Sequence, residues 1–458
     1  MQPIRRLFAL NLARLLTWLF ASLSAAPAMA TDPPEVVAFV NVNVVPMDRE
    51  RLLGDQTVII ERGRIKAIGR GLKVPADARI IKGKGRFLSP GLADMHNHSD
   101  TREDLALFLA NGVTTMLNMG EARNSFVGRT RLAVDKGDVP GPRVIAALAV
   151  DGSPQYGHLV IASPEDAKAA VRLAKVNGYA FIKVYNNLAP DVFAALMSAA
   201  RVEELAVVGH GVTSVGLARQ LEAGQRMVAH AEEFFYTFFA PPGGSNTADT
   251  PSANRIPEAI GLLKRTGAYV VADLHNYATI AEQFGRPEVV AGYLAMPEAR
   301  YLAPMDRLSW ASSSYQNRKV DLTGRVAFLR AFIKAMADAG VPLMSGGDAP
   351  SIPGLVPGFS LHHNLAMLED AGLSRYQVLA LATRVPGEFI NRFVPGDAPV
   401  GTVTVGSRAD LLLSEANPLN DLHTLEQPAG VMVNGRWHDA AELQSLLGGV
   451  AAKYAGAR

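Results

Sequence analysis

No cysteine occurs anywhere in the 458 residues. That excludes disulfides, thiolate metal ligands and a lipid-modified N-terminal cysteine, and it is compatible with an oxidising compartment, where a thiol-free chain cannot be mispaired. Any metal must be held by His, Lys, Asp or Glu, a donor set suited to Zn²⁺ or Mn²⁺. Aromatic residues are scarce, at 7%, and alanine is abundant, which suits an α/β protein better than an all-β one. A surplus of one charge is missing too, since 45 Lys and Arg face 43 Asp and Glu. Three of those arginines fall in the first thirty residues, where there is no acid, so the rest of the chain is net negative by one charge. No nucleic-acid partner is expected from that balance.

The first thirty residues stand apart. Arg5 and Arg6 precede an apolar stretch from Leu7 to Leu23, broken only by Arg14, and Ala28-Met29-Ala30 offers a small-residue cleavage site. This order reads as a signal peptide, with a retained anchor as the alternative. The expectation is a periplasmic or secreted protein with no stable membrane association after cleavage.

The remainder changes rhythm twice. Val36–Val45, Thr57–Ile60 and Arg64–Ile68 read as strands, with Glu61-Arg62-Gly63-Arg64 as a turn. From Gly91 short apolar runs alternate with helical patterns. The runs are Gly91–His98, Gly112–Met119, Arg143–Val150, Ala180–Tyr185, Leu205–His210, Arg226–Ala231, Ala268–Leu274 and Val341–Gly346. Eight buried strands separated by helices predict a (β/α)₈ barrel of the TIM type. Residues 274–320 and 235–257 read as long loops at the active-site end. Two helices are expected near His362–Ala371 and Arg375–Phe393. Then β character returns, finishing in the hairpin-like Val433-Asn434-Gly435-Arg436-Trp437. The expected organisation is a signal peptide over 1–30, a barrel over 91–396, and a small β-sandwich domain built from both chain ends, 31–90 and 397–458.

In such a barrel, catalytic groups sit at the C-terminal ends of strands. His96 and His98 end the first strand, Lys183 lies late in the fourth, His210 ends the fifth, His230 is near the end of the sixth, and Asp348 follows the eighth. His96 and His98 are two apart, so both imidazoles share one face of the strand. Alone, a His-x-His pair fits surface or core histidines as well.

Pro90-Gly91-Leu92-Ala93-Asp94-Met95-His96-Asn97-His98 resembles the opening motif of the amidohydrolase superfamily, nearest to its imidazolonepropionase-like and Xaa-Pro-dipeptidase-like members. Ala180-Phe181-Ile182-Lys183-Val184 resembles the strand that bears that family's carboxylated lysine. Ser345-Gly346-Gly347-Asp348-Ala349-Pro350 resembles its eighth-strand aspartate motif, and Gly406-Ser407-Arg408-Ala409-Asp410-Leu411 its C-terminal β segment. The resemblance implies two divalent ions, Zn²⁺ foremost, on His96, His98, Lys183, His210, His230 and Asp348. Lys183 would carry a CO₂-derived carbamate, which turns a costly buried ammonium into a bridging anion. Asp348 would also accept a proton from metal-activated water and return it to the leaving nitrogen. His158, in the loop after the third strand, would polarise the substrate carbonyl. Tyr185 and His275 are candidate substrate contacts, and Arg123, Tyr185, Arg255 and Tyr277 are candidates for a substrate carboxylate. Where many relatives read His-Arg-Glu-Leu, this chain reads His362-His363-Asn364-Leu365.

The resulting expectation is hydrolysis of an amide or related C–N bond in a small molecule or dipeptide. The same centre would serve a lactone or phosphotriester. A deaminase usually lacks the lysine and places Glu three residues after the fifth-strand histidine, where this chain has Thr213. A non-catalytic metal-binding barrel is the reading of a different class. A homo-oligomer is left open, and the substrate itself is not legible in the chain.

Overall fold

The β-branched segment at the start of the described chain makes a strand because branched side chains suit a pleated, largely buried surface. In the computed structural model, which describes residues 36–240, 249–396 and 398–456, this is β1 (Val36–Val44). It pairs antiparallel with β2 (Leu53–Glu61), which pairs with β3 (Arg64–Gly69). Both β4 (Arg79–Lys82) and β5 (Phe87–Pro90) lie parallel to β1. The other end of the chain completes the sheet. There β15 (Leu411–Ser414) runs antiparallel to β5, and β16 (Gly430–Val433) and β17 (Arg436–Asp439) form a hairpin. Asn434 and Gly435, at φ 49° and 78°, give it the left-handed turn that suits a two-residue hairpin. The order is β17-β16-β15-β5-β1-β2-β3. Phe39 of β1 and Trp437 of β17 are not sheet neighbours, yet their rings stand edge to face with centroids 5.2 Å apart. The sheet therefore curls over a core of its own, the sandwich expected from both chain ends.

Gly91 carries the chain out of that sheet. A Cβ there would meet Thr114 side-chain atoms at 2.1 Å, so only glycine allows the crossing. The barrel follows: β6 (Leu92–Asn97), β7 (Val113–Asn118), β8 (Arg143–Asp151), with the short β9 (Leu159–Val160) beside it, β10 (Phe181–Val184), β11 (Ala206–Gly209), β12 (Met227–Val228), β13 (Tyr269–Val271) and β14 (Leu343–Met344). Neighbouring barrel strands pair in parallel, in the order β6-β7-β8-β10-β11-β12-β13-β14. The seam between last and first is stitched where Met95 N–H donates to Ser345 O at 2.9 Å and Asp348 N–H to His96 O at 2.7 Å. All eight strands read from the sequence are present.

The interior is packed. Met95, Leu117, Ile145, Phe181, Val208, Met227, Val271 and Met344 fill it. Phe389, on the helix Arg384–Phe393, closes the N-terminal end against Phe181 and Tyr269. Helices cover the outside with a second apolar layer. The helix Pro164–Asn177 has the expected ends: Ser163 and Asp166 form a capping box, Pro164 enters the first turn, and Gly178 closes it at φ 77°.

Three expectations are corrected. Residues 274–320 are not a loop but a run of helices, Leu274–Gln283, Pro287–Ala295 and Pro304–Ala311, with a short turn of helix at Pro297–Tyr301. The prolines that read as loop punctuation stand at first-turn positions, where a missing N–H leaves no bond unmade. Three helices rather than two follow β14: Phe359–Asp370, Arg375–Leu381 and Arg384–Phe393. A C-terminal helix, Ala440–Ala455, follows the hairpin; Asp439 and Glu442 form its capping box. It packs Val450 and Tyr454 against Ala106 and Leu107 of the helix Arg102–Ala110. Among the described residues no helix is long and apolar enough to cross a membrane. The expected signal peptide lies outside the described residues.

Candidate metal centre

Each barrel strand delivers a polar side chain at its C-terminal end, and the first and last strands meet there. β6 shifts register between Asp94 and Asn97. The fully buried Asp94 organises this bulge: it accepts from His96 N–H at 3.1 Å and from Gly347 N–H across the seam at 3.3 Å. Burial raises its carboxyl to about 7. Gly346 lets the strands approach, since a Cβ there would lie 2.8 Å from His96 Cβ and 2.9 Å from its backbone N. Gly346→Ala is therefore expected to cost about 1–3 kcal/mol by overpacking. An unchanged denaturant midpoint would show that the seam has slack.

His96, His98, His210, His230, Lys183 and Asp348 come together as the sequence placed them. The His96 ring lies 5.3 Å from His98, 6.4 Å from His210 and 4.1 Å from His230, centroid to centroid. The Nε2 atoms of His96 and His98 are 3.3 Å apart. Asp348 Oδ1 is 3.5 Å from the first and 3.3 Å from the second. Asp348 sits at φ 48°, a strained backbone for a non-glycine residue, held by its N–H on His96 O.

All four imidazoles are tied on the same nitrogen. His96 Nδ1–H donates to Ala229 O at 2.9 Å, His98 to Gly120 O at 3.3 Å and His210 to Glu233 Oε1 at 2.6 Å, while His230 donates to Asp273. In a neutral ring each acceptor favours the tautomer that leaves Nε2 free. At His230, although burial opposes it, the Asp273 and Glu232 carboxylates raise the ring to about 10, so it must give up a proton before it can hold an ion. Burial, and then nearby cationic groups, hold His96 and His210 well below the ordinary histidine range, so both are neutral donors. His96, His98 and Asp348 offer ligand atoms within 4.8 Å of one another, and so do His96, His230 and Asp273. Asp273 already accepts from His230 Nδ1, so it orients that ring rather than competing for an ion.

Lys183 is 1% exposed. It has no ion-pair partner within 4 Å among the described residues; its Nζ lies 5.4 Å from the Tyr185 ring centroid. Burial lowers its pKa to about 8, against the opposing pull of Asp348, Glu121 and Glu233. A buried amine with no carboxylate beside it, four imidazole Nε2 atoms and one carboxylate form a donor set that fits divalent cations.

Above these groups opens a cavity of about 540 Å³. His210, His230 and Asp348 reach it from below; Tyr185, Tyr236, Tyr277 and Tyr315 form walls. The Tyr185 ring packs at a tilt on His210 and His158, with centroids 4.0 Å and 4.5 Å apart. His158 itself is buried and does not line the cavity. Glu121 Oε1 is 3.2 Å from its Nδ1 without hydrogen-bond geometry, so neither ring nitrogen has a hydrogen-bond partner. His275 lies away from the cavity, its ring 5.2 Å from His363. Arg123 pairs with Asp100, and Arg255 reaches the carbonyls of Phe238 and Phe239. Tyr277 does line the cavity. His362 donates to Asn111 O, and Asn364 bonds Ala272 O and Ser345 Oγ, so the departure at 362–365 supports strand ends from outside the cavity.

Several acidic groups around the centre escaped the sequence reading. Glu121 follows β7 at φ 68°, and Glu233 and Asp273 buttress histidines. Glu232 lines the cavity with its Oε2 buried and unbonded; burial pushes its carboxyl well above the ordinary range. The rule that located the candidate ligands, a polar residue just past a barrel strand, points to all four.

Known proteins resemble this chain to different depths. Residues 87–438 match the amidohydrolase family. A dihydroorotase of Geotalea daltonii is 50% identical over 46 residues, which is 10% of this chain and 11% of that protein. The chain thus matches only about a tenth of the length of such curated relatives. Among solved structures, bottromycin amidohydrolase superposes with a TM-score of 0.72 at 21% identity, covering 92% of this chain and 91% of its own. A Xaa-Pro dipeptidase with bound methionine gives 0.63 at 19% identity, covering 88% and 100%. At such identities these structures speak for the fold alone.

Proposed function

The chain belongs to the amidohydrolase family, and from that premise we propose that it is a two-metal hydrolase acting on C–N bonds, one that cleaves an amide in a small molecule or dipeptide. The observation that carries this is the common tethering of four Nδ1 atoms, which turns four Nε2 atoms, with Asp348 and Lys183, toward one buried space. Divalent ions, Zn²⁺ foremost, would be held by His96, His98, Lys183, His210, His230 and Asp348, and would supply Lewis-acid polarisation and a water of lowered pKa. Lys183 would serve as its carbamate, for which its burial without an ion pair argues.

The chain's own groups do the rest. Asp348 directs Oδ1 to His96 and His98, so its second carboxylate oxygen takes the proton from the attacking water and passes it to the leaving nitrogen. Tyr185, packed on His210 and His158, orients the substrate carbonyl, and His158 holds that ring in place. Tyrosine walls and the helices over 274–311 limit water at the reacting bond. The N-terminal segment supports action outside the cytoplasm.

Metal analysis coupled to a hydrolysis screen tests the reading. The purified protein is expected to carry two divalent ions per chain and to lose hydrolysis of N-acyl amino acids or dipeptides on chelation. Turnover confined to lactones or phosphotriesters would reassign the bond cleaved. No stoichiometric metal and no chelator-sensitive hydrolysis would end the proposal.

A further inference from the structure

The cavity carries an acid that the proposed chemistry does not use. Glu232 is 5% exposed and lines the cavity two residues beyond His230. Its Oε2 has no hydrogen-bond partner, and no Lys or Arg forms an ion pair with it among the described residues. Asn276, on the same wall, presents a second buried oxygen, Oδ1, that also lacks a donor. Tyr236, Tyr277 and Tyr315 line the same space. Arg325 shares the cavity, but its guanidinium lies 5.0 Å from the Phe235 ring centroid and its Nε donates to Asp249 O at 3.1 Å.

Two acceptor oxygens without donors, one of them on a carboxylate, call for a ligand rich in N–H and positively charged. Aromatic walls suit the same ligand, because ring faces attract cations. Ionising a buried carboxyl that has no Lys or Arg beside it is costly, and a substrate that brings a positive charge removes that cost only while it is bound. We infer that Glu232, with Asn276 and the surrounding tyrosines, is a specificity site for an organic ammonium group on the substrate. This rests on the hydrolase reading for what is then cleaved, but not for the binding itself. The ammonium could be a free α-amine or a basic side chain, and the test separates the two.

Calorimetry on metal-loaded, full-length Asp348→Asn protein would compare glycyl-lysine with glycyl-norleucine, each with and without N-acetylation. The pair differing at the side chain reports a basic side chain; the pair differing at the N-terminus reports the α-amine. One charged member is expected to bind about tenfold more tightly than its neutral partner, the worth of a charge-assisted bond. Adding Glu232→Gln should erase that preference and leave metal content unchanged. Equal binding within both pairs overturns the inference, and needs no variant to fold. A preference that survives Glu232→Gln overturns it too, as does loss of metal in Glu232→Gln, which would make the residue a ligand. If the preference holds while the Asp348-intact protein carries no stoichiometric metal and shows no chelator-sensitive hydrolysis in the wider screen, the hydrolase reading falls and the ammonium site stands.

Discussion

Exchanging Lys183 for alanine will cut turnover by about three orders of magnitude or more, the range seen when a group essential to water activation is lost. Metal content should fall with it, from two ions per chain to one or none. The reason lies in where the side chain sits. Lys183 is buried on β10 with no carboxylate at ion-pair distance, so as an ammonium it would repel the cations that four neighbouring imidazoles are set to hold. As a carbamate it would be the anion that lets two cations approach. The two states predict opposite rescues. Alanine leaves a hole that a short carboxylic acid can enter with the carbamate's charge, so acetate or propionate should restore part of the activity. Rescue by methylamine or ethylamine instead would mean that Lys183 acts as a cation, and the carbamate would be ruled out.

Asp348→Asn should be as damaging to turnover by a different route. Asparagine keeps the shape and can still offer Oδ1 to an ion, so metal content should stay near that of the parent protein. It cannot take a proton at the second oxygen. Loss of a positioned general base lowers rate by about 10²–10⁴, so kcat is expected to fall by that factor with KM little changed. The strained backbone at Asp348, held by its N–H on His96 O, gives the substituted side chain the same anchorage. Steady-state kinetics beside metal analysis would decide. A variant that kept its metal and more than about a tenth of its kcat would exclude Asp348 as the proton carrier.

Comparing these residues with their neighbours shows how far the chain could be read. All eight barrel strands were legible because each is a short apolar run bounded by helical patterns, and the six proposed ligands were legible because the barrel puts function at strand ends. The helices over 274–311 were not, because proline has opposite meanings in a loop and in a first helical turn. Ala440–Ala455 was missed although Asp439 and Glu442 announce it; an expected β ending masked the capping signal. His275 shows a further limit. It follows β13 closely, but the helix Leu274–Gln283 begins at once and carries its ring to His363 rather than the cavity. Glu233 and Asp273 could be seen as acids past strand ends, but which imidazole nitrogen each would meet is a matter of three dimensions.

The seam between β14 and β6 bears on when the protein becomes competent. Asp94 and Gly347, which bond across it, are 253 residues apart in the chain, and His96 and Asp348 meet there. Contacts of such separation form late, since the intervening segment must first be ordered. A chain that has folded only its early strands holds His96, His98 and Lys183 but lacks Asp348. On the proposed reading the ions would latch a completed barrel rather than seed its folding, and the last strand to dock would complete the site.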